Sequence, residues 1–195
     1  MKKTVLLFFI LLFPPELLAD ENLIKSRSFI ENLGEKVIER IANKNITARQ
    51  RQDNFRDLYF KAFDSKYISK FVLGRHWSKI EEKTKTEFIK AFNEYLIMVY
   101  APKFKGWNGK FETINSQLQN NMYIVSMNLV SNDAPSLSLD WRVYADKNNK
   151  FKILDVNING VSMLVTQRAE FASVIKNNPL GVKGLIKQMQ KKVKS

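Results

Sequence analysis

The spacing of apolar residues changes twice along this chain, and these changes restrict its fold more than any other feature. As far as Tyr100, apolar residues recur every three or four positions, as on the buried face of a helix. From Lys110 to Ile158 they alternate with polar residues, as in strands that have one covered face. Beyond Gly160 the helical spacing returns. Helices followed by strands and again by helices predict an α+β domain rather than alternating βαβ units.

Four helices are predicted before the strands. The first spans residues 22–42, and the second begins after Thr47, a residue type that caps helix N-termini well. A short third helix ends at Gly74, and a fourth ends before Pro102. The apolar face of the first helix is formed by Ile30, Leu33, Val37 and Ile41.

The alternating part predicts four sequential strands joined by short turns, which is an antiparallel meander. The strands are "KFETINS", "MYIVSMNLV", "SLSLDWRVYA" and "KILDVNING". In the last strand the alternation places Leu154, Val156 and Ile158 inward, and Asp155, Asn157 and Asn159 outward. We therefore expect helices packed on an antiparallel four-stranded meander sheet, with an apolar cavity enclosed between the two layers.

The N-terminus has the pattern of a secretory signal peptide. Lys2 and Lys3 precede an unbroken apolar run, Val5–Phe13, and a cleavage position follows at Ala19. That run has nine residues, too few for a membrane span of about 20 residues. We therefore predict a signal peptide at residues 1–19, export to the periplasm, and one mature domain at residues 20–195. The sequence has no cysteine, so this domain must be stable without disulfides.

No pattern in the sequence predicts catalysis, a metal site or a cofactor. His76 is the only histidine, and no phosphate-binding loop, dinucleotide fingerprint or nucleophile elbow is present. Asp140 and Asp155 are both expected on solvated strand faces. The net charge of +13 favours contact with anionic membrane surfaces or acidic proteins, and we do not predict nucleic-acid binding for an exported protein.

Two short motifs carry a resemblance to a known family. They are "FVLGRHW" at residues 71–77 and "DVNINGVS" at residues 155–162, the second followed by Arg168 and Phe171. With "GLIKQMQKK" near the C-terminus, they make nearly the whole mature chain resemble the MlaC (toluene-tolerance) family, the periplasmic phospholipid-binding components of an ABC-type lipid transport system. The resemblance implies an α+β fold that holds lipid tails in a deep apolar cavity. It also implies a phospholipid ligand and exchange of lipid between an outer-membrane lipoprotein-porin complex and an inner-membrane ABC lipid transporter complex, with transient proximity to the membrane.

Apolar side chains from the helical stripes and the covered sheet face are the predicted lining of that cavity. Adaptable methionines and rigid aromatic rings suit a pocket for varied acyl tails. The predicted lipid-binding residues are Phe88, Phe92, Leu96, Tyr100, Val125, Met127, Leu139, Trp141, Val143, Val156, Ile158, Val161, Met163, Leu164 and Phe171.

Two polar residues share the apolar stripe of the helix that follows the strands. Gln167 and Arg168 are predicted to lie at the rim of the cavity near a lipid phosphate, with the Arg168 stem over apolar surface. The alternative for Arg168 is an ion pair with a carboxylate of another helix.

Two other functions remain open at this stage. One is an enzyme on a cone-shaped α+β scaffold that acts on a small hydrophobic substrate, which would need a buried Asp or Tyr in the cavity. The other is a basic interaction module without a lipid pocket, whose binding would weaken steeply with salt.

Overall fold

The computed structural model describes residues 16–131 and 134–194. The predicted signal peptide, with its apolar run Val5–Phe13, lies almost wholly outside the described residues. Two 3-10 turns, Gly74–Lys79 and Ala101–Phe104, flank the fourth helix. The helices are α1 (Glu16–Arg40), α2 (Ala48–Ala62), α3 (Ser65–Leu73), α4 (Glu82–Tyr100), α5 (Met163–Asn177) and α6 (Gly181–Lys194). The strands are β1 (Lys110–Gln119), β2 (Met122–Ser131), β3 (Ala134–Ala145), β4 (Phe151–Ile158) and β5 (Val161–Ser162).

The strands form one antiparallel meander in the order β1-β2-β3-β4-β5, so the α+β class and the antiparallel sheet are confirmed. The predicted number of strands was wrong, because the described part of the chain has five. Asn159 and Gly160 both have positive φ angles, 50° and 80°, and make a two-residue hairpin that pairs Ile158 with Val161. The new strand has only two residues, too few to show an alternating pattern.

Leu154, Val156 and Ile158 of β4 line a pocket, on the inward side predicted for them, but a β-bulge changes the face of the residues that precede them. Arg142 pairs with Asp155, but its neighbour Val143 pairs with Ile153, so Leu154 is the extra residue. Ile153 is consequently fully buried. The prediction that Asp155 is solvated was wrong, because α5 begins beside it and only 8% of the residue is exposed.

Helices α1 and α2 cover the sheet. Ile30, Leu33 and Ile41 of the predicted α1 stripe are buried. Gly34 lies in the same stripe and lets the helix approach β1 closely, since a Cβ there would lie 2.8 Å from Cδ2 of Phe111. Thr47 caps α2 as predicted: its hydroxyl accepts a hydrogen bond from the Gln50 amide at 3.1 Å.

The buried residues form two clusters. We call the first the helical core, because it lies among α3, α4, α5 and α6; its members are Ile68, Val72, Leu73, Phe88, Ala91, Phe92, Leu164, Phe171, Ile175, Val182, Leu185, Ile186 and Met189. We call the second the sheet-side core, because it lies between the sheet and helices α1 and α2; its members are Ile30, Leu33, Ile41, Leu58, Ala62, Val125, Met127, Val143 and Ile153.

Helix α6 is amphipathic. Its apolar face joins the helical core, and Lys183, Lys187 and Lys191 are exposed on its outer side. Across the described ranges, no helix has both the length and the apolar character needed to cross a membrane.

Candidate functional site

An apolar pocket of about 290 Å³ lies between the helices and the covered face of the sheet. Its volume is near the lower end of the range for small-molecule sites, about 300–1,000 Å³. The lining is aliphatic and aromatic apart from Gly34, Asp155, Gln167 and the hydroxyls of Tyr59 and Tyr100. Met127 and Met163 contribute flexible side chains that can adapt to the shape of a ligand.

Eleven of the predicted site residues meet at this pocket. They come from α4, three adjacent strands and the start of α5. The helices and the covered face of the sheet therefore face each other at the pocket. The eleven are Phe92, Leu96, Tyr100, Met127, Leu139, Trp141, Val156, Ile158, Met163, Leu164 and Gln167.

Two predicted residues, Phe88 and Phe171, pack inside the helical core instead. Their ring centroids lie 6.0 Å apart in an edge-to-face arrangement, and Phe171 also meets Phe92 at 5.2 Å. Helix α4 packs against α6 and contributes Phe88 and Phe92 to the helical core, whereas Leu96 and Tyr100 further along the helix reach the pocket. The continuous apolar stripe of α4 therefore lies partly in the helical core and partly at the pocket.

Three of the four predicted valines also lie outside the pocket lining, whereas Val156 is part of it. Val125 and Val143 are fully buried in the sheet-side core, toward the end of the sheet where Phe29 of α1 packs on Phe151. Val161 is 57% exposed, because it lies in the short edge strand β5.

The first two helices supply lining residues that were not predicted as site residues. The apolar face of α1 was predicted, but its residues were not included in the site, because the sequence gives no sign that part of this face borders a space. Gly34, within that face, is the one local feature that sets this part of α1 apart, since it brings the helix close to Phe111. The additional lining residues are Ile30, Leu33, Gly34, Val37, Ile41, Phe55, Leu58, Tyr59, Phe63, Ile68, Phe104, Phe111, Leu129, Leu137, Leu154 and Asp155.

Asp155 is the one carboxylate in the lining, and its oxygens are already used. Oδ1 accepts hydrogen bonds from the amides of Val156 at 2.8 Å and Leu164 at 3.1 Å. Oδ2 accepts from the Ser162 hydroxyl at 2.6 Å, and the Ser162 hydroxyl accepts from the Val165 amide. Asp155 and Ser162 thus cap the N-terminus of α5 together and hold the helix at the edge of the sheet.

Tyr59 contributes the second buried polar group. Its hydroxyl donates to Oδ1 of Asn93 at 3.1 Å, which links α2 to α4 behind the pocket. Burial, together with the nearby Asp64, raises the pKa of Tyr59 well above its ordinary value. The phenol is therefore neutral and hydrogen-bonded, which suits packing better than proton transfer.

Two polar residues of the lining, Tyr100 of α4 and Gln167 of α5, are also in contact with solvent. Gln167 and Tyr100 are half-buried lining residues, whereas Glu170 and Lys103 beside them are exposed. The Gln167 amide donates to Glu170 at 2.9 Å, and Lys103 Nζ lies 5.6 Å from the centre of the Tyr100 ring. Burial and the neighbouring Tyr95 and Glu170 raise the pKa of Tyr100. We call Gln167, Glu170, Tyr100 and Lys103 the mouth residues.

Arg168 is not one of the lining residues. Its guanidinium lies 5.3 Å from the centre of the Phe71 ring, and its side chain fills the space beside Gly74, where φ is 51°. Among the residues that the structure describes, it forms no ion pair with a carboxylate. The two predicted motifs meet at this contact, since Phe71 and Gly74 belong to "FVLGRHW".

No cluster of histidine and acidic side chains that could hold a metal ion occurs in the part of the chain that the structure describes. His76 lies in the first 3-10 turn, away from the pocket lining, and burial together with Arg75 and Lys79 lowers its pKa. The pocket itself offers apolar surface and a polar mouth.

The pattern of the MlaC protein family matches residues 31–191 of the chain. The chain belongs to the MlaC family. The match includes both motifs and all the residues that line the pocket except Ile30. A search of curated proteins gave no match.

Seven chains of solved structures match this MlaC-family chain. One is described as the phospholipid-binding protein from Ralstonia solanacearum in complex with a phospholipid. It has 21% sequence identity and a TM-score of 0.71, and the match covers 86% of this chain and 96% of that chain. At this level of identity the likeness establishes a shared fold.

Proposed function

We propose that this protein is a periplasmic phospholipid carrier, which holds the acyl tails of one lipid in the apolar pocket. It would exchange that lipid with an outer-membrane lipoprotein-porin complex and an inner-membrane ABC lipid transporter complex. The observation that carries the proposal is the apolar pocket between helices and sheet, in a fold shared with a protein solved in complex with a phospholipid. Membership of the MlaC family supports the same function.

The energetics of tail burial suit a carrier. A phospholipid with two tails has roughly 30 methylenes, so burial from water would yield about 24 kcal/mol at about 0.8 kcal/mol each. That exceeds the ceiling of non-covalent affinity, about 18–21 kcal/mol. The relevant comparison is with a bilayer, in which the tails are already dry. Transfer between bilayer and pocket is therefore close to balanced, and the protein can both accept and release its lipid.

The pocket favours binding over catalysis. The alternative enzyme would need a free carboxylate or phenol to move a proton. Asp155 instead accepts three hydrogen bonds that fix α5, and the Tyr59 hydroxyl is bonded to Asn93. Both polar groups are thus committed to the fold, and burial raises the pKa of Tyr100, the other phenol of the lining, which favours its neutral form.

The proposal can be tested by narrowing the pocket. Leu96→Trp adds a large side chain from the lining, and Leu180→Trp makes the same change at a residue that is 55% exposed between α5 and α6. Lipid-free protein is incubated with phospholipid vesicles, separated from them and examined by native mass spectrometry. We expect one phospholipid per chain in the wild type and in Leu180→Trp, and much less in Leu96→Trp.

Two results would count against the carrier function. An unmodified protein that takes up no phospholipid would leave the interaction module as the better account. Equal loading of all three proteins would place the lipid outside this pocket.

The proposed location requires export. Helix α1 begins at Glu16, so cleavage at Ala19 would remove only its first residues. N-terminal sequencing of the protein from the periplasmic fraction should give a chain that begins near Asp20. Recovery of the uncleaved chain in the cytoplasm would contradict the proposed location.

A further inference from the structure

The mouth residues include one positive and one negative side chain, each in contact with a residue of the pocket lining. Lys103 Nζ lies 5.6 Å from the centre of the Tyr100 ring, and that ring lines the pocket. Glu170 accepts a hydrogen bond at 2.9 Å from Gln167, another lining residue. The two charges thus lie beside two lining residues and come from different elements, Lys103 from the 3-10 turn after α4 and Glu170 from α5.

Neither charge has an oppositely charged partner among the described residues. Within residues 16–131 and 134–194, no ion pair joins Lys103 or Glu170 to another charged side chain, nor do they pair with each other. Many other acidic groups of the chain have such partners, for example Asp57 with Arg40 at 2.9 Å and Glu94 with Arg56 at 2.6 Å. An unpaired cation and an unpaired anion beside an apolar pocket are suited to a ligand that carries both charges.

We propose that the mouth residues recognise a zwitterionic phospholipid head group, with Lys103 facing the phosphate and Glu170 facing the ammonium. The inference rests on the proposed function, because the tails must occupy the pocket for the head group to lie at the mouth. Phosphatidylethanolamine offers both charges, whereas phosphatidylglycerol offers the phosphate alone. Glu170 therefore discriminates between the two lipids, and Lys103 attracts both.

The test is a competition between the two lipids. Lipid-free protein is incubated with a limiting amount of vesicles made of equal parts phosphatidylethanolamine and phosphatidylglycerol. The lipid bound to the re-isolated protein is then extracted and quantified by mass spectrometry. The wild type should enrich phosphatidylethanolamine about 1.5- to 5-fold, the range that exposed ion pairs provide. The enrichment should shrink as the salt concentration rises.

The two charge-neutral variants have different expected signatures. Glu170→Gln should bring the ratio of bound lipids to that of the vesicles. Lys103→Gln should lower the uptake of both lipids about 1.5- to 5-fold, without a change in their ratio. Matched controls are Glu87→Gln, at the opposite end of α4 from Tyr100, and Lys147→Gln, in the turn after β3; both residues are exposed, and both variants should behave as the wild type.

The outcomes separate this inference from the proposed function. If the protein takes up lipid but the bound ratio equals that of the vesicles, or Glu170→Gln keeps the wild-type preference, the head-group assignment is overturned and the carrier function stands. If no protein takes up either lipid, the carrier function itself is overturned, and the head-group assignment with it.

Discussion

The helical core and the sheet-side core differ in how completely they are filled. Of the nine residues of the sheet-side core, five also line the pocket: Ile30, Leu33, Ile41, Leu58 and Met127. Of the thirteen residues of the helical core, three do so: Ile68, Phe92 and Leu164. The helices on one side are therefore packed against each other, while α1 and α2 leave a space above the sheet.

Because of this difference, phenylalanine residues have different roles in the two regions. Phe88, which is fully buried, stacks on Phe92 at 5.6 Å and serves the stability of the fold. Phe104 is only half-buried at the pocket, where its ring lies 6.1 Å from that of Phe55. Apolar residues of the helical core should matter for folding, and those of the pocket for ligand binding.

The largest effect is expected from a phenylalanine truncation in the helical core. Phe88→Ala removes a fully buried ring and leaves a cavity among packed helices, so the free energy of unfolding should fall by about 3–5 kcal/mol. Denaturant unfolding followed by circular dichroism measures this loss.

The same truncation at the pocket is the matched comparison. Phe104→Ala loses the contact with Phe55 and half-buried packing on the sheet-side core, but it does so beside an existing space. The free energy of unfolding should therefore fall by about 1–3 kcal/mol, less than in Phe88→Ala. Equal losses in the two variants would mean that the two regions are equally packed, and the comparison would fail.

A loss smaller than that of Phe88→Ala is also expected where α5 joins the sheet. Asp155→Ala removes the acceptor of three hydrogen bonds and leaves the buried Leu164 amide without its partner, which should cost about 1–3 kcal/mol. Ser162→Ala removes the bond to the Val165 amide and the donor to Asp155, and should cost about 1 kcal/mol. Thermal unfolding measures the loss of stability in both variants. An Asp155→Ala variant that is as stable as the wild type would refute the capping role.

A hydrogen bond between α3 and the sheet adds a dependence on pH. The Tyr144 hydroxyl donates to Oδ2 of Asp64 at 2.8 Å, and burial with this bond raises the pKa of Tyr144 to about 12, from 10.0. Because the folded protein favours the neutral phenol, the contribution is fully present below pH 10 and is lost as the pH rises through 12.

Tyr144→Phe should therefore lower the free energy of unfolding by about 0.5–1.5 kcal/mol at neutral pH. The difference from the wild type should shrink as the pH rises from 10 to 12, as urea unfolding at several pH values would measure. A difference that stays constant over this range would show that the hydroxyl is not the cause.

The smallest effect is expected at Arg168. Its stacking on Phe71 at an exposed site predicts a loss of about 0.5–1 kcal/mol in Arg168→Ala, with phospholipid loading unchanged. Differential scanning calorimetry and native mass spectrometry measure the two quantities. If Arg168→Ala has normal stability but no longer retains phospholipid, Arg168 acts at the rim of the pocket, as the sequence predicted.

The sequence predicted those features that depend on local periodicity. The α1 stripe of Ile30, Leu33 and Ile41 is buried, and the α2 cap at Thr47 is in place, because both depend on residues within one or two turns. The extra strand β5 and the bulge at Leu154 could not be predicted in the same way. Both are set by how one strand pairs with another, and a single inserted residue reverses the alternation on which the prediction relied.

The site was predictable only in part for a similar reason. The spacing of apolar residues shows which side of a helix is buried, but it does not show whether the buried side meets another side chain or a space. Phe88 and Leu96 lie on the same predicted stripe of α4, and only the packing of α5 and α6 separates their environments. The unpredicted lining residues of α1 and α2 have the same origin.

The most direct test of the central claim is to locate the lipid tails with tryptophan fluorescence. Trp141 lines the pocket, whereas Trp77 packs against the helical core. Two double variants each keep one of them: Trp77→Phe with Trp107→Phe, and Trp141→Phe with Trp107→Phe. Each is loaded with a phospholipid whose acyl chains carry bromine, which quenches indole fluorescence on contact. We predict strong quenching of Trp141 and none of Trp77; quenching of Trp77 alone would contradict the assignment of the tails to this pocket.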